Sequence, residues 1–166
     1  MSNKAVWLQT VATGWAALTM ASIASLANGN ASFSSAGQLD NTTNLYLDAL
    51  VVVQLSQSAS AVANDKAFYV YAYGSDGTNY PEGITGTDAG YTILGSAGAL
   101  TTALRLIGVI PAVASDTNYH GPFAVAPAFG GVLPPKWGLV FLNFGGQTLA
   151  GSGNAATYTA IAATVA

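Results

Sequence analysis

The apolar residues of this chain fall in short runs, and within most runs they alternate with polar ones. Residues 45–55 (LYLDALVVVQL) set the pattern. Leu45, Leu47, Ala49, Val51, Val53 and Leu55 share one side of an extended chain, and Tyr46, Asp48, Leu50, Val52 and Gln54 share the other. Residues 67–73 (AFYVYAY) place Phe68, Val70 and Ala72 on one side and Tyr69, Tyr71 and Tyr73 on the other. Two runs, 50–53 (LVVV) and 139–142 (LVFL), are apolar on both sides, as strands inside a packed sandwich are. Further strands are predicted over 5–11, 91–94, 104–110, 123–126, 137–144 and 157–165. Around residues 15–26, Trp15, Leu18, Met20, Ile23 and Leu26 are expected to face inward, although the Ala and Ser content leaves the middle open between strand and helix. Residues 31–38 read as a polar strand or a loop.

Turn chemistry separates these runs. Asn28-Gly29-Asn30 and Asp76-Gly77 supply residues that accept positive φ, and Gly130-Gly131 with Pro134-Pro135 bracket the connection into the strand that starts at Trp137. No long stretch repeats at 3.6 residues with capping signals, and no linker divides the chain. The expectation is an all-β fold: one antiparallel β-sandwich domain over residues 1–166 with an N-terminal arm (1–14). It would have about eight or nine strands, with a jelly roll as one way of winding them.

Charge changes the picture most. The 166 residues are 51% hydrophobic and 7% charged, against roughly 25% charged in an average domain. Eleven charged side chains are sparse cover for a free monomer, which points to a surface covered by other subunits or by a membrane. The uncharged segment 5–27 is interrupted by Gln9, Thr10, Thr13, Gly14, Ser22 and Ser25, so it reads as neither a signal core nor a spanning helix. An outer-membrane barrel would need evenly repeated alternating strands, and these are uneven. With Lys4, Lys66, Arg105 and Lys136 as the only cations and a net charge of −3, no nucleic-acid partner is expected. There is no cysteine, which removes disulfides, thiolate metal sites and a cysteine nucleophile.

Candidate chemistry is thin. His120 is the single histidine, and Asp116 lies nearby in a loop segment, SDTNYHG. Gly95-Ser96-Ala97-Gly98 is one residue short of a nucleophile elbow. Asp76, Glu82 and Asp88 share one loop and offer oxygens for Ca²⁺, but their spacing matches no EF-hand and turn formation explains them. Trp7, Trp15 and Trp137 suit core or interface packing better than a sugar platform. The reading is a non-enzyme with no cofactor and no metal. Its candidate subunit-contact residues are Val6, Trp7 and Leu8 near the start of the chain and Phe129, Leu133 and Trp137 around the Gly-Gly and Pro-Pro turns.

Several stretches together resemble small virion structural proteins of tailed bacteriophages. They are WAALTMASIASLANG (15–29), NLYLDALVVVQL (44–55), YVYAYGSDGTNYPEGITGTDAGYTILG (69–95), LRLIGVI (104–110) and FAVAPAFGGVLPPKWGLVFLNFGGQTLAGSGN (123–154). The most specific elements are YLDALV and the block holding Phe129, Trp137, Asn143 and Gly146. The resemblance implies a non-enzymatic β-sandwich on the capsid exterior, a decoration or cement protein. Its partners would be the major capsid protein and itself, as a homotrimer. A tail or connector component and a carbohydrate-binding module are the alternatives. Neutral contacts of this kind are little affected by salt, since screening acts on charges.

Overall fold

The computed structural model describes residues 6–10, 15–35, 39–57, 65–81, 83–92, 104–113 and 117–165. They form ten strands: β1 (Val6–Thr10), β2 (Ala16–Leu18), β3 (Asn30–Phe33), β4 (Asp48–Ser56), β5 (Ala67–Ser75), β6 (Ala89–Thr92), β7 (Arg105–Pro111), β8 (Thr117–Ala124), β9 (Lys136–Phe144) and β10 (Ala155–Val165). Two 3-10 turns, Ala21–Ile23 and Ala126–Phe129, join them. The first turn settles the ambiguity around residues 15–26: a short strand, then one tight turn.

The pairing is nested. β1 and β2 pair with β10, β3 with β9, β4 with β8, and β5 with β7, all antiparallel. A long hairpin wound in this way brings β10 beside β4 and β9 beside β5. The result is two five-stranded sheets. One runs β1–β10–β4–β8, with β2 on the same edge of β10 as β1; the other runs β6–β3–β9–β5–β7. This is a jelly-roll sandwich whose first strand is broken in two and whose second sheet gains β6. Val6–Thr10, in the segment expected to be an arm, carry β1 and meet Val165–Ile161 of β10.

The predicted alternation is realised in β4 and β5. Ala49, Val51, Val53 and Leu55 from β4, with Phe68, Val70 and Ala72 from β5, fill the core between the sheets. β9 is buried along almost its whole length, and its two faces serve different clusters. Trp137, Leu139 and Phe141 enter the core between the sheets. Val140 and Leu142 face the other way, into a second cluster with Ala31, Phe33, Tyr73, Ile84 and Leu104. The two-sided apolar run at 139–142 is thus explained by a sheet covered on both faces.

Three expectations are corrected. The β4 strand begins at Asp48, so Leu45 and Leu47 stand in the preceding loop, 73% and 46% exposed. Trp15 precedes β2 and is 46% exposed, while Leu18, Met20, Ile23 and Leu26 are buried as expected. Residues 117–121, expected in a loop, belong to β8. Of the two readings of 31–38, the strand holds at residues 31–33, and these are fully buried. There Ser34 Oγ accepts from Leu139 N at 2.7 Å, and the Ser34 carbonyl accepts from the Tyr73 hydroxyl at 2.9 Å. Bonded serines substitute for apolar residues where two backbones come close.

Candidate functional site

One end of the sandwich collects the β3–β4 connection, the β8–β9 connection and the start of β9. Asn41 N donates to Pro135 O at 2.7 Å, and Lys136 reaches Asp40 at 3.8 Å, which ties the two connections together. Asn41 is buried and closes its own loop. Its Oδ1 accepts from Tyr46 N at 2.7 Å, its Nδ2 donates to Tyr46 O at 3.1 Å, and its carbonyl accepts from Leu45 N at 3.1 Å. This closure holds Leu45 at φ 50°, a left-handed conformation that is costly for leucine.

The β8–β9 connection is anchored from β4. Asp48 Oδ1 accepts from Ala49 N and Ala126 N at 2.7 Å each and from Val125 N at 3.1 Å. The 3-10 turn then ends at Gly130 and Gly131, at φ 76° and 90°, where added Cβ atoms would meet nothing within 4 Å. Glycine is required there by the backbone angle alone. Beyond the turn, neighbours diverge: Val132 is 70% exposed and Leu133 4%. Leu45, Leu47 and Val132, with Asn41, Tyr46, Gly131 and Leu133, line an apolar groove of about 220 Å³.

The predicted contact residues are placed as follows. Leu133, which lines this groove, and Trp137 are buried, and Trp137 packs edge-on against Tyr158 with ring centroids 5.8 Å apart. Phe129 is half-buried against the same core. These three side chains hold the end together, while Leu45, Leu47 and Val132 reach solvent. Val6, Trp7 and Leu8 lie on β1, and their side chains are outside the described residues. Sequence reasoning missed Leu45 and Leu47 because alternation carried the strand too far toward the N-terminus. The Asn41–Asn44 stretch (NTTN) was the available warning.

The described carboxylates are committed to local structure. Asp88 accepts from Ala21 N, Ser22 N and Ser22 Oγ, pinning the first 3-10 turn to the loop before β6. Asp76 accepts from Asn79 N, Asn79 Nδ2 and Thr78 N, donors that hold its carboxyl down to about 2. The Thr42 hydroxyl and backbone N–H, with Lys136 adding a smaller share, lower Asp40. Asp65 lies 3.5 Å from Lys66. Glu82, Asp116 and the Gly95–Gly98 stretch are outside the described residues. Among the described residues, no three His, Cys, Asp or Glu side chains gather closely enough to hold a metal ion. His120 stands opposite Val53 on the core-facing side of β8.

No protein-family model matches the chain, and no curated protein matches it in sequence.

Proposed function

We propose that this protein is a structural subunit of a tailed-bacteriophage particle. It would decorate and stabilise the capsid exterior through apolar and neutral polar contacts with the major capsid protein, and it would carry no catalytic activity, cofactor or metal. The observation that carries the reading is the apolar end, where Leu45, Leu47 and Val132 stand exposed on loops braced by Asn41 and Asp48. Holding a leucine in a left-handed conformation in order to expose it costs stability, which makes sense where a partner covers it. Eleven charged side chains on 8250 Å² of surface agree with a protein that attaches by neutral contacts. The jelly roll is an architecture used by viral shells among other proteins, a fold-level analogy that raises the reading without carrying it.

The test is re-attachment of purified variants to particles that lack the protein. Leu45→Asp and Val132→Asp alter exposed side chains, so each is expected to fold normally and to bind at least about tenfold more weakly. Wild-type attachment by both variants would overturn the assignment of this end as the contact surface.

A further inference from the structure

The outer face of the β2–β10–β4–β8 sheet holds a second apolar surface, whose lining shares no residue with the groove just described. Trp15, beside β2, and Tyr119, on the edge strand β8, stand 46% and 72% exposed on either side of a groove of about 340 Å³ floored by Val52 and Thr157. Register sets this arrangement. Thr157 lies opposite Val52 and Ala17, and Tyr119 lies opposite Gln54, so all point away from the core. Leu50 is half-buried further along the same face.

We propose that this face binds a second copy of the same chain about a two-fold axis, with Tyr119 of each copy seated in the groove beside the partner's Trp15. Three observations select this occupant. First, the projecting ring and the groove share one patch, which a two-fold contact requires, since the patch must complement itself. A three-fold contact would join two different patches.

Second, the described residues of this face carry little charge that would repel a second copy. Asp48 is the only Asp, Glu, Lys or Arg in β2, β4, β8 and β10, and its Oδ1 is turned onto the backbone amides of Ala49, Val125 and Ala126. His120 lies on the opposite, core-facing side.

Third, the area is near what a dimer needs. The nine residues of β4, eight of β8, eleven of β10 and three of β2 cover about 500 Å² of flat sheet before side-chain relief is added. A specific interface buries about 500–600 Å² per partner at the low end of its range. Tyrosine and tryptophan are the residues that dominate such contacts.

The inference rests on the fold alone and holds whatever the chain attaches to. Sedimentation equilibrium of the full chain from about 1 to 100 μM, a range that spans weak and moderate dimers, decides it. Wild type is expected to be dimeric, and Tyr119→Arg to weaken dimerisation about a hundredfold because a two-fold axis counts the substitution twice. Tyr119→Phe keeps the ring and is expected to remain dimeric, which separates lost contact from lost folding. A wild type that stays monomeric, one that forms trimers, or a Tyr119→Arg variant that dimerises unchanged would each overturn the proposal.

Discussion

Replacing Asp48 by alanine removes one acceptor shared by three backbone amides, two of which belong to the connection that presents Val132. Bonds to a charged acceptor are the stronger kind, so Asp48→Ala is expected to cost about 2–3 kcal/mol in chemical denaturation. A loss below about 0.5 kcal/mol, the size of an ordinary surface substitution, would mean that the brace is not needed. Tyr73 makes the other residue-scale prediction. Burial, reinforced by Tyr80 beside it, raises its phenol well above the usual tyrosine range, against the opposing bond to Ser34. The unfolded chain ionises near pH 10 and the folded one only above that. Stability from the buried neutral phenol is therefore full below about pH 10 and is lost as pH rises toward the folded value. Tyr73→Phe is expected to cost about 1 kcal/mol at neutral pH and to flatten the decline above pH 10. Equal slopes for the two proteins in alkaline melts would contradict this.

At the scale of elements, alternation made β4 and β5 legible, because period-two burial is a local property of the pleat, and the two-sided apolar run at 139–142 marked β9. The ends of strands were less legible. Leu45 and Leu47 continue the alternation of β4, yet the closure of their loop by Asn41 depends on contacts with Pro135 and Tyr46 that no local pattern contains. Most of β8 was missed for the opposite reason. TNYHGPFA has the composition of a loop, and only the ladder with Leu50–Ser56 makes it a strand. The two faces of β9 impose a further constraint. A Cβ at Gly138 would lie 2.4 Å from the ring of Tyr73, which is itself fully buried and bonded to Ser34. Gly138→Ala is therefore expected to destabilise by about 1–3 kcal/mol, the cost of overpacking a core that cannot give way. Thermal melts of Gly138→Ala against Gly131→Ala would separate this clash from a glycine needed for its angle alone.

At the scale of the molecule, the class of fold was readable from strand-length runs and turn residues, and the order of strands was not. The jelly roll follows from which edges meet, such as β1 and β2 together on β10, and such long-range pairings leave no trace in local alternation. The orientation of side chains at the loop end was not legible either. Phe129, Leu133 and Trp137 lie at the end of the sandwich that exposes Leu45, Leu47 and Val132, but Leu133 and Trp137 face inward there. Large rings near turns signal the neighbourhood of a surface without saying which side of the backbone they occupy. An interface of neutral side chains also predicts that attachment survives high salt, because screening at 1 M reaches down to about 3 Å and weakens only charged pairs. Release of the protein by salt alone would contradict a neutral interface.

The central claim is that this chain is a repeated part of a particle's outer shell. Quantitative mass spectrometry of virus particles purified from the same source as the chain, comparing its copy number with that of the major shell protein, tests it most directly. A ratio on the order of one, as repeating contacts on a closed symmetric shell require, is the predicted result. A ratio of a few per cent would place the protein at a tail or vertex instead, and its absence from the particles would contradict the account.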